Sequence, residues 1–187
     1  MTNDSVRNLI EILRVYQIRY PDEVAAVERF IDFLTRNGEA SFDRSLTEGH
    51  ITASCWLLDS TQSHVLLTHH KKLGIWIQPG GHADGDDTPT RVALKEAHEE
   101  SGLNNIELLF DGELFDVDWH RIPARKTEPE HIHYDLRYAM RSTGSDEYVV
   151  SDESHDLRWV AFTDLTRVTR DESVNRLNQK WLARSQS

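Results

Sequence analysis

Gly80-Gly81-His82-Ala83-Asp84-Gly85-Asp86-Asp87-Thr88-Pro89-Thr90-Arg91-Val92-Ala93-Leu94-Lys95-Glu96-Ala97-His98-Glu99-Glu100-Ser101-Gly102-Leu103 is the stretch whose reading decides the fold. A glycine-rich acidic loop runs into a segment with helix signals at both ends. Thr88 suits the cap position and Pro89 the first helical position. Gly102 suits a left-handed helix end. Ala93 and Ala97 are small enough to let a helix lie close to a sheet. Gly80 and Gly81 permit close approach of the backbone to an ion. Residues three and four apart share a helix face, so Glu96, Glu99 and Glu100 converge. Carboxylates held together repel one another unless a cation sits among them. An oxygen-only donor set suits a hard divalent ion, Mg²⁺ or Mn²⁺. Such an ion, partly neutralised and open to water, is what cleavage of a diphosphate requires.

The same stretch resembles the Nudix box, G-x5-E-x7-R-E-U-x-E-E-x-G-U, where U is aliphatic. Gly81 opens it, and Glu96, Glu99, Glu100, Gly102 and Leu103 fall at the required spacings. Asp87 stands where the family has Glu, Lys95 where it has Arg, and Ala97 is a small choice for the first U. The box covers 23 of 187 residues. The strand pattern around it extends the resemblance over roughly residues 48 to 165. The bland reading, a solvated acidic helix, does not account for agreement at so many fixed positions.

The resemblance implies an α+β fold, a Nudix-type α/β/α sandwich with a mixed central sheet. It implies a metal-dependent hydrolase that cleaves a phosphoanhydride in a nucleoside diphosphate linked to another moiety. Glu96 and Glu100 become the leading ligands of Mg²⁺ (or Mn²⁺), with Glu99 assisting and the Gly80 carbonyl joining them. Glu96 and Glu99 are also candidate catalytic residues, since one carboxylate can serve as general base. Asp87 and Lys95 are read as a charge pair that orients the glutamates. Glu153 lies six residues before Trp159, in Ser151-Asp152-Glu153-Ser154-His155-Asp156, ahead of Leu157-Arg158-Trp159-Val160. Many family members carry an acidic residue on such a loop, so Glu153 is a candidate metal ligand or general base. The competing reading is a solvated acidic loop. The alternative function is a noncatalytic nucleotide-sensing module, which loss of box carboxylates would favour. Gly-Gly-His also resembles isopentenyl diphosphate isomerases, relatives of this fold. Their catalytic cysteine precedes the Gly-His pair; Gly80 stands there here, which disfavours that reaction.

Composition narrows the partners. Net charge is −11 and hydrophobic content 38%, with a mean hydropathy of −0.59. An acidic chain is a poor nonspecific nucleic-acid binder, so the expected partner is a small-molecule diphosphate, met by a metal and a few basic side chains. No apolar run approaches a membrane span, and Met1-Thr2-Asn3-Asp4-Ser5 carries no signal pattern. Cys55 is the one cysteine and sits in an apolar run. It reads as an inert core thiol, and a cytoplasmic location is expected.

Outward from the box, residues 6 to 37 read as a helical hairpin. Val6, Leu9, Ile10, Leu13 and Ile18 form one helical stripe. Pro21 restarts a second: Val24, Val27, Phe30, Ile31 and Leu34. Residues 1–45 are taken as a helical extension packed on the core, and 46–187 as the catalytic domain. The extension could serve as lid, homodimer surface or buttress, and the buttress is favoured. Strands are expected at 50–59, 64–69, 75–78, 106–110, 114–120, 131–140 and 157–162, with a last helix near 171–183.

Two strands alternate strongly. Phe115, Val117 and Trp119 oppose Asp116, Asp118 and His120. Ile132, Tyr134, Leu136, Tyr138 and Met140 oppose His131, His133, Asp135 and Arg137. The polar faces are expected to line one cavity, making His82, His133, Asp135 and Arg137 candidate substrate-binding residues. Lys71, in His69-His70-Lys71-Lys72, joins them as a phosphate contact, with a solvated turn as the equal alternative. Ten histidines and His131-x-His133 raise a three-histidine metal site as well. A polar pocket lining is the simpler account.

Overall fold

The computed structural model describes residues 4–71, 73–125, 129–152 and 154–185. Two compact units emerge, residues 1–53, 81–93 and 112–138, and residues 54–80, 94–111 and 139–187. The fold is α+β around a mixed sheet, as the sequence implies. Strand neighbours run β3-β2-β1-β7-β5, with β4 on β1, β6 on β7 and β8 on β2.

The first unit begins with α1 (Asp4–Arg19) and α2 (Val24–Asn37), joined by a 3-10 turn at Pro21–Glu23. Val6, Leu9, Leu13 and Tyr16 are the buried stripe of α1. Ile18, expected in that stripe, is exposed, and Tyr16 takes the inward position. In α2 the stripe is Val27, Phe30, Phe33 and Leu34. Gly38, at φ 57°, ends α2 by donating its N–H to the Leu34 carbonyl. Both helices pack on β6 (Leu114–Ile122). Phe33 stacks on Tyr134 at 4.0 Å, Phe30 meets the same ring edge-on at 5.2 Å, and the Arg29 guanidinium lies 3.7 Å from the Trp119 ring centre. The hairpin thus packs on Trp119 of β6 and on Tyr134 of β7 (His131–Ser142).

The middle of the polar side of these strands is dry, while His120 at its end is exposed, a division that alternation alone did not reveal. Asp116 is 0%, Asp135 4% and Arg137 2% exposed. β6 pairs antiparallel with β7, bringing Asp116 opposite Arg137 and His120 opposite His133. β1 (Gly49–Leu58) enters this unit at its N-terminal end, and β4 (Gly80–His82) from Gly81 onward. The short strand β4 was not anticipated; it is three residues of mostly glycine with no apolar period to read.

The second unit is organised on β2 (His64–His70), which pairs antiparallel with β1, with β3 (Trp76–Ile77) and with β8 (Ser154–Ala161). The β1–β2 turn is fastened by Asp59, whose carboxylate accepts the backbone N–H groups of Ser63 (2.8 Å) and His64 (3.0 Å). β5 (Ile106–Leu108) pairs with the end of β7. A one-turn α4 (Leu165–Val168) precedes α5 (Glu172–Arg184), which Asp171 caps through Ser173 and Val174 N–H groups. Trp181 of α5 packs between Phe110 and Phe162. Cys55 is fully buried, its thiol 3.6 Å from the Pro79 carbonyl, which agrees with an inert core role.

Candidate active site

The box helix is α3 (Pro89–Ser101). Ala93 and Ala97 are fully buried, so the small residues form its inner face as read. Thr88 holds the cap position through its carbonyl, which accepts from Arg91 (2.9 Å) and Val92 (3.2 Å). Its hydroxyl turns to Asp87 instead of capping. At the other end Gly102 adopts φ 69°, and its N–H closes on the His98 carbonyl at 2.9 Å.

The three glutamates sit in graded environments. Glu100 is 7% exposed and accepts the Gly80 N–H at 2.7 Å. The strand that enters the box and the last turn of its helix are therefore tied through one carboxylate. The Glu96 side chain is 14% exposed and that of Glu99 57%. Lys95 reaches both, 2.9 Å from Glu99 and 3.4 Å from Glu96. Its pKa is raised, first by the Glu99 hydrogen bond and then, against a smaller opposing desolvation, by Glu96. The donors are oxygens throughout, mutually repulsive and partly desolvated. That chemistry fits a hard divalent ion.

The expected pairing of Lys95 with Asp87 is corrected. Lys95 is engaged by the glutamates one and four residues on, the ordinary reach of a helical side chain. Asp87 is engaged by Ser5, by Thr88 and, at 4.0 Å, by Arg91.

Among the other candidates, Arg137 is buried among carboxylates. Its Nε lies 2.7 Å from Asp135, and its Nη atoms 3.1 Å from Asp116 and 2.8 Å from Asp118. Desolvation opposes its charge, and the three aspartates outweigh that and raise its pKa. Asp135 also accepts from the Thr52 hydroxyl at 3.0 Å. This is an internal salt-bridge network tying β6 to β7, and a ligand would have to dismantle it. Lys71 is exposed, with its ammonium 2.5 Å from the Asp152 carbonyl. Glu153 lies outside the described residues.

His82 and His133 are brought together, and with them His50, which the sequence reading missed. Their ligand-capable atoms all lie within 4.8 Å of one another. His50 is buried at 3% exposure, and burial, then its neighbours His82, His131 and Arg44, push its pKa down to about 4. Burial first, then the neighbouring His82, His50, His120 and His131, lowers that of His133. His50 is separated by more than thirty residues from its partners and stands alone in an apolar strand. No local spacing pointed to it.

Residues 49–183 match the NUDIX domain family, and the chain belongs to that family. A 64-residue stretch is 36% identical to a protein of Lactococcus lactis subsp. cremoris described as a probable DHNTP pyrophosphohydrolase. That match spans 33% of this chain and only 37% of the relative. A NUDIX family hydrolase from Clostridium perfringens is similar in structure, with a TM-score of 0.53 and 27% identity over 71% of this chain and 95% of that one. The E. coli dihydroneopterin triphosphate pyrophosphohydrolase shares the fold, with a TM-score of 0.54 at 11% identity over 70% of this chain and 92% of that one.

Proposed function

We propose that this protein is a metal-dependent diphosphate hydrolase acting on a nucleoside diphosphate linked to another moiety. The observation that carries the reading is the carboxylate set of α3. Glu96, Glu99 and Glu100 lie three and four residues apart on one helix, the spacing of a shared face, and Glu100 is held by the Gly80 N–H. In this reading Glu96, Glu99 and Glu100, with the Gly80 carbonyl, hold Mg²⁺ or Mn²⁺. When bound, the ion neutralises diphosphate oxygens and lowers the pKa of water.

The protein's own groups divide the remaining work. Glu100 is oriented by the backbone as an acceptor of the Gly80 N–H. Lys95 spaces Glu96 from Glu99 by pairing with both. Lys71 is the exposed cation assigned to a substrate phosphate. Glu153 is assigned as general base, with Asp152 and Asp156 as its controls. The partially identical Lactococcus protein, described as a probable pyrophosphohydrolase, supports this class. No described helix is long and apolar enough to cross a membrane. The single buried thiol suits a reducing, cytoplasmic setting.

The test is a diphosphate panel with Mg²⁺ or Mn²⁺, scored for phosphate and pyrophosphate release. It includes nucleoside triphosphates, sugar nucleotides, dinucleoside polyphosphates and dihydroneopterin triphosphate. Turnover of at least one member, abolished by chelation, is expected. Binding without turnover across the panel would replace the enzyme with a sensing module.

A further inference from the structure

We propose a second metal centre, of different chemistry, in the first unit. His50 of β1, His82 of β4 and His133 of β7, with His131 of β7 as fourth nitrogen, bind one divalent transition ion of the zinc class and clamp the three strands. The proposal does not rest on the hydrolase reading.

Geometry carries it. The ligand-capable atoms of His50, His82 and His133 lie within 4.8 Å of one another. Tetrahedral nitrogens at zinc distances sit about 3.3 Å apart. Imidazole χ2 is soft, so modest ring rotation closes the set. One edge is already near that spacing, because the His131 and His133 Nε2 atoms share a 3.2 Å hydrogen bond, whose place an ion would take. The ring centres of His50 lie 5.1 Å from His82, 5.0 Å from His131 and 4.8 Å from His133.

The hydrogen bonding of His131 suits a ligand. His131 Nδ1 is 2.9 Å from the Pro129 carbonyl, which can only accept. The proton therefore sits on Nδ1, and the Nε2 lone pair faces the cluster. A backbone carbonyl on the far nitrogen is how metal-binding histidines are commonly oriented. His50 supplies the second observation. It is 3% exposed, and neither ring nitrogen has a hydrogen-bond partner among the described residues. The nearby Leu46 backbone favours a ring proton without reaching bonding geometry. A buried imidazole with both nitrogens unsatisfied is costly unless one of them binds an ion.

The backbone is shaped for this approach. Gly49, immediately before His50, has φ 152°, and a Cβ there would lie 2.4 Å from the Ile132 carbonyl oxygen. Only glycine allows β1 so near β7, between His131 and His133. Nitrogen donors select zinc-like ions over Mg²⁺, which prefers oxygen. Four nitrogens leave no open position, so the ion here is structural and not a generator of attacking water.

The test uses tag-free, chelator-stripped protein titrated with Zn²⁺ and with Co²⁺ in excess Mg²⁺. One ion per chain is expected, with a raised Tm. His50→Gln and His82→Gln should each weaken Zn²⁺ binding more than about tenfold, whereas Glu100→Gln should leave it unchanged. X-ray absorption of the zinc-loaded wild type, which no folding defect can confound, should show a histidine nitrogen shell. Failure to bind Zn²⁺, an oxygen-dominated shell, or loss of binding in Glu100→Gln but not in the folded histidine variants would overturn the proposal.

Discussion

Glu100 is the side chain on which the proposed metal chemistry turns. It is buried, and it accepts the Gly80 N–H at 2.7 Å. Glu100→Gln keeps an oxygen for that hydrogen bond and removes the charge. Steady-state assays should show turnover lowered at least about 100-fold, while circular dichroism and Tm stay near wild type. Turnover at the wild-type rate would remove Glu100 from the metal role. Lys95 makes a different prediction. Its ion pairs are 59% exposed on the lysine side, and exposed pairs contribute little to stability. Lys95→Ala should cost about 10- to 100-fold in kcat through misplaced glutamates, with KM and Tm nearly unmoved. A loss confined to KM would recast Lys95 as a substrate contact. The box was legible because its residues are local and periodic. The pairing of Lys95 was not, because it depends on which neighbours a long flexible side chain reaches.

At the scale of elements, α3 ends where it does because Gly102 is left-handed and crowded. Its φ is 69°, and a Cβ there would lie 2.9 Å from the Val149 Cβ. Gly102→Ala should therefore destabilise by about 1–2 kcal/mol from the backbone alone, more with the contact; urea titration measures it, and a loss under half of that would show Val149 yielding. The β1–β2 turn makes a prediction in pH. Burial raises the Asp59 pKa, but hydrogen bonds from Thr61, His64 and Ser63 outweigh it and hold the pKa below its ordinary value of 3.8. A carboxylate depressed in the folded state stabilises above its unfolded pKa, and that contribution fades as pH falls through the folded value. The Tm gap between wild type and Asp59→Ala should thus be full above about pH 5 and narrow below pH 4. A gap constant over that range would mean that the ionised form plays no part. Both turns carry sequence signals, a glycine at a helix end and an Asp followed by Ser and Thr. The short β4 and α4 carry none, since three- and four-residue elements have no period.

Across each unit as a whole, the internal salt-bridge network sets the largest effect. Arg137 at 2% exposure faces Asp116, Asp118 and Asp135. Removing it leaves buried carboxylates uncompensated, so Arg137→Ala should destabilise by about 3–5 kcal/mol in urea titration. Arg137→Lys should recover only part, because an ammonium cannot serve three carboxylates with planar donors. A near-neutral Arg137→Ala would return the residue to the role of substrate contact that alternation suggested.

What the sequence determined by itself was whatever rests on near neighbours along the chain. The box glutamates, the helix ends at Thr88-Pro89 and Gly102, the helical stripes through Leu13 and Leu34, and the alternating strands 114–120 and 131–140 follow from spacings of two to four residues. What only the tertiary structure decided rests on distant neighbours. Asp135 and Arg137 looked like the wet wall of a pocket, yet they are buried, because aspartates from β6 neutralise the guanidinium across the strand pair. His50 went unremarked within the expected strand 50–59, yet it meets His82 and His133, because Gly49 lets β1 come close to β7. Spacing fixes which face a side chain takes; strand pairing and close backbone approach decide what it meets there.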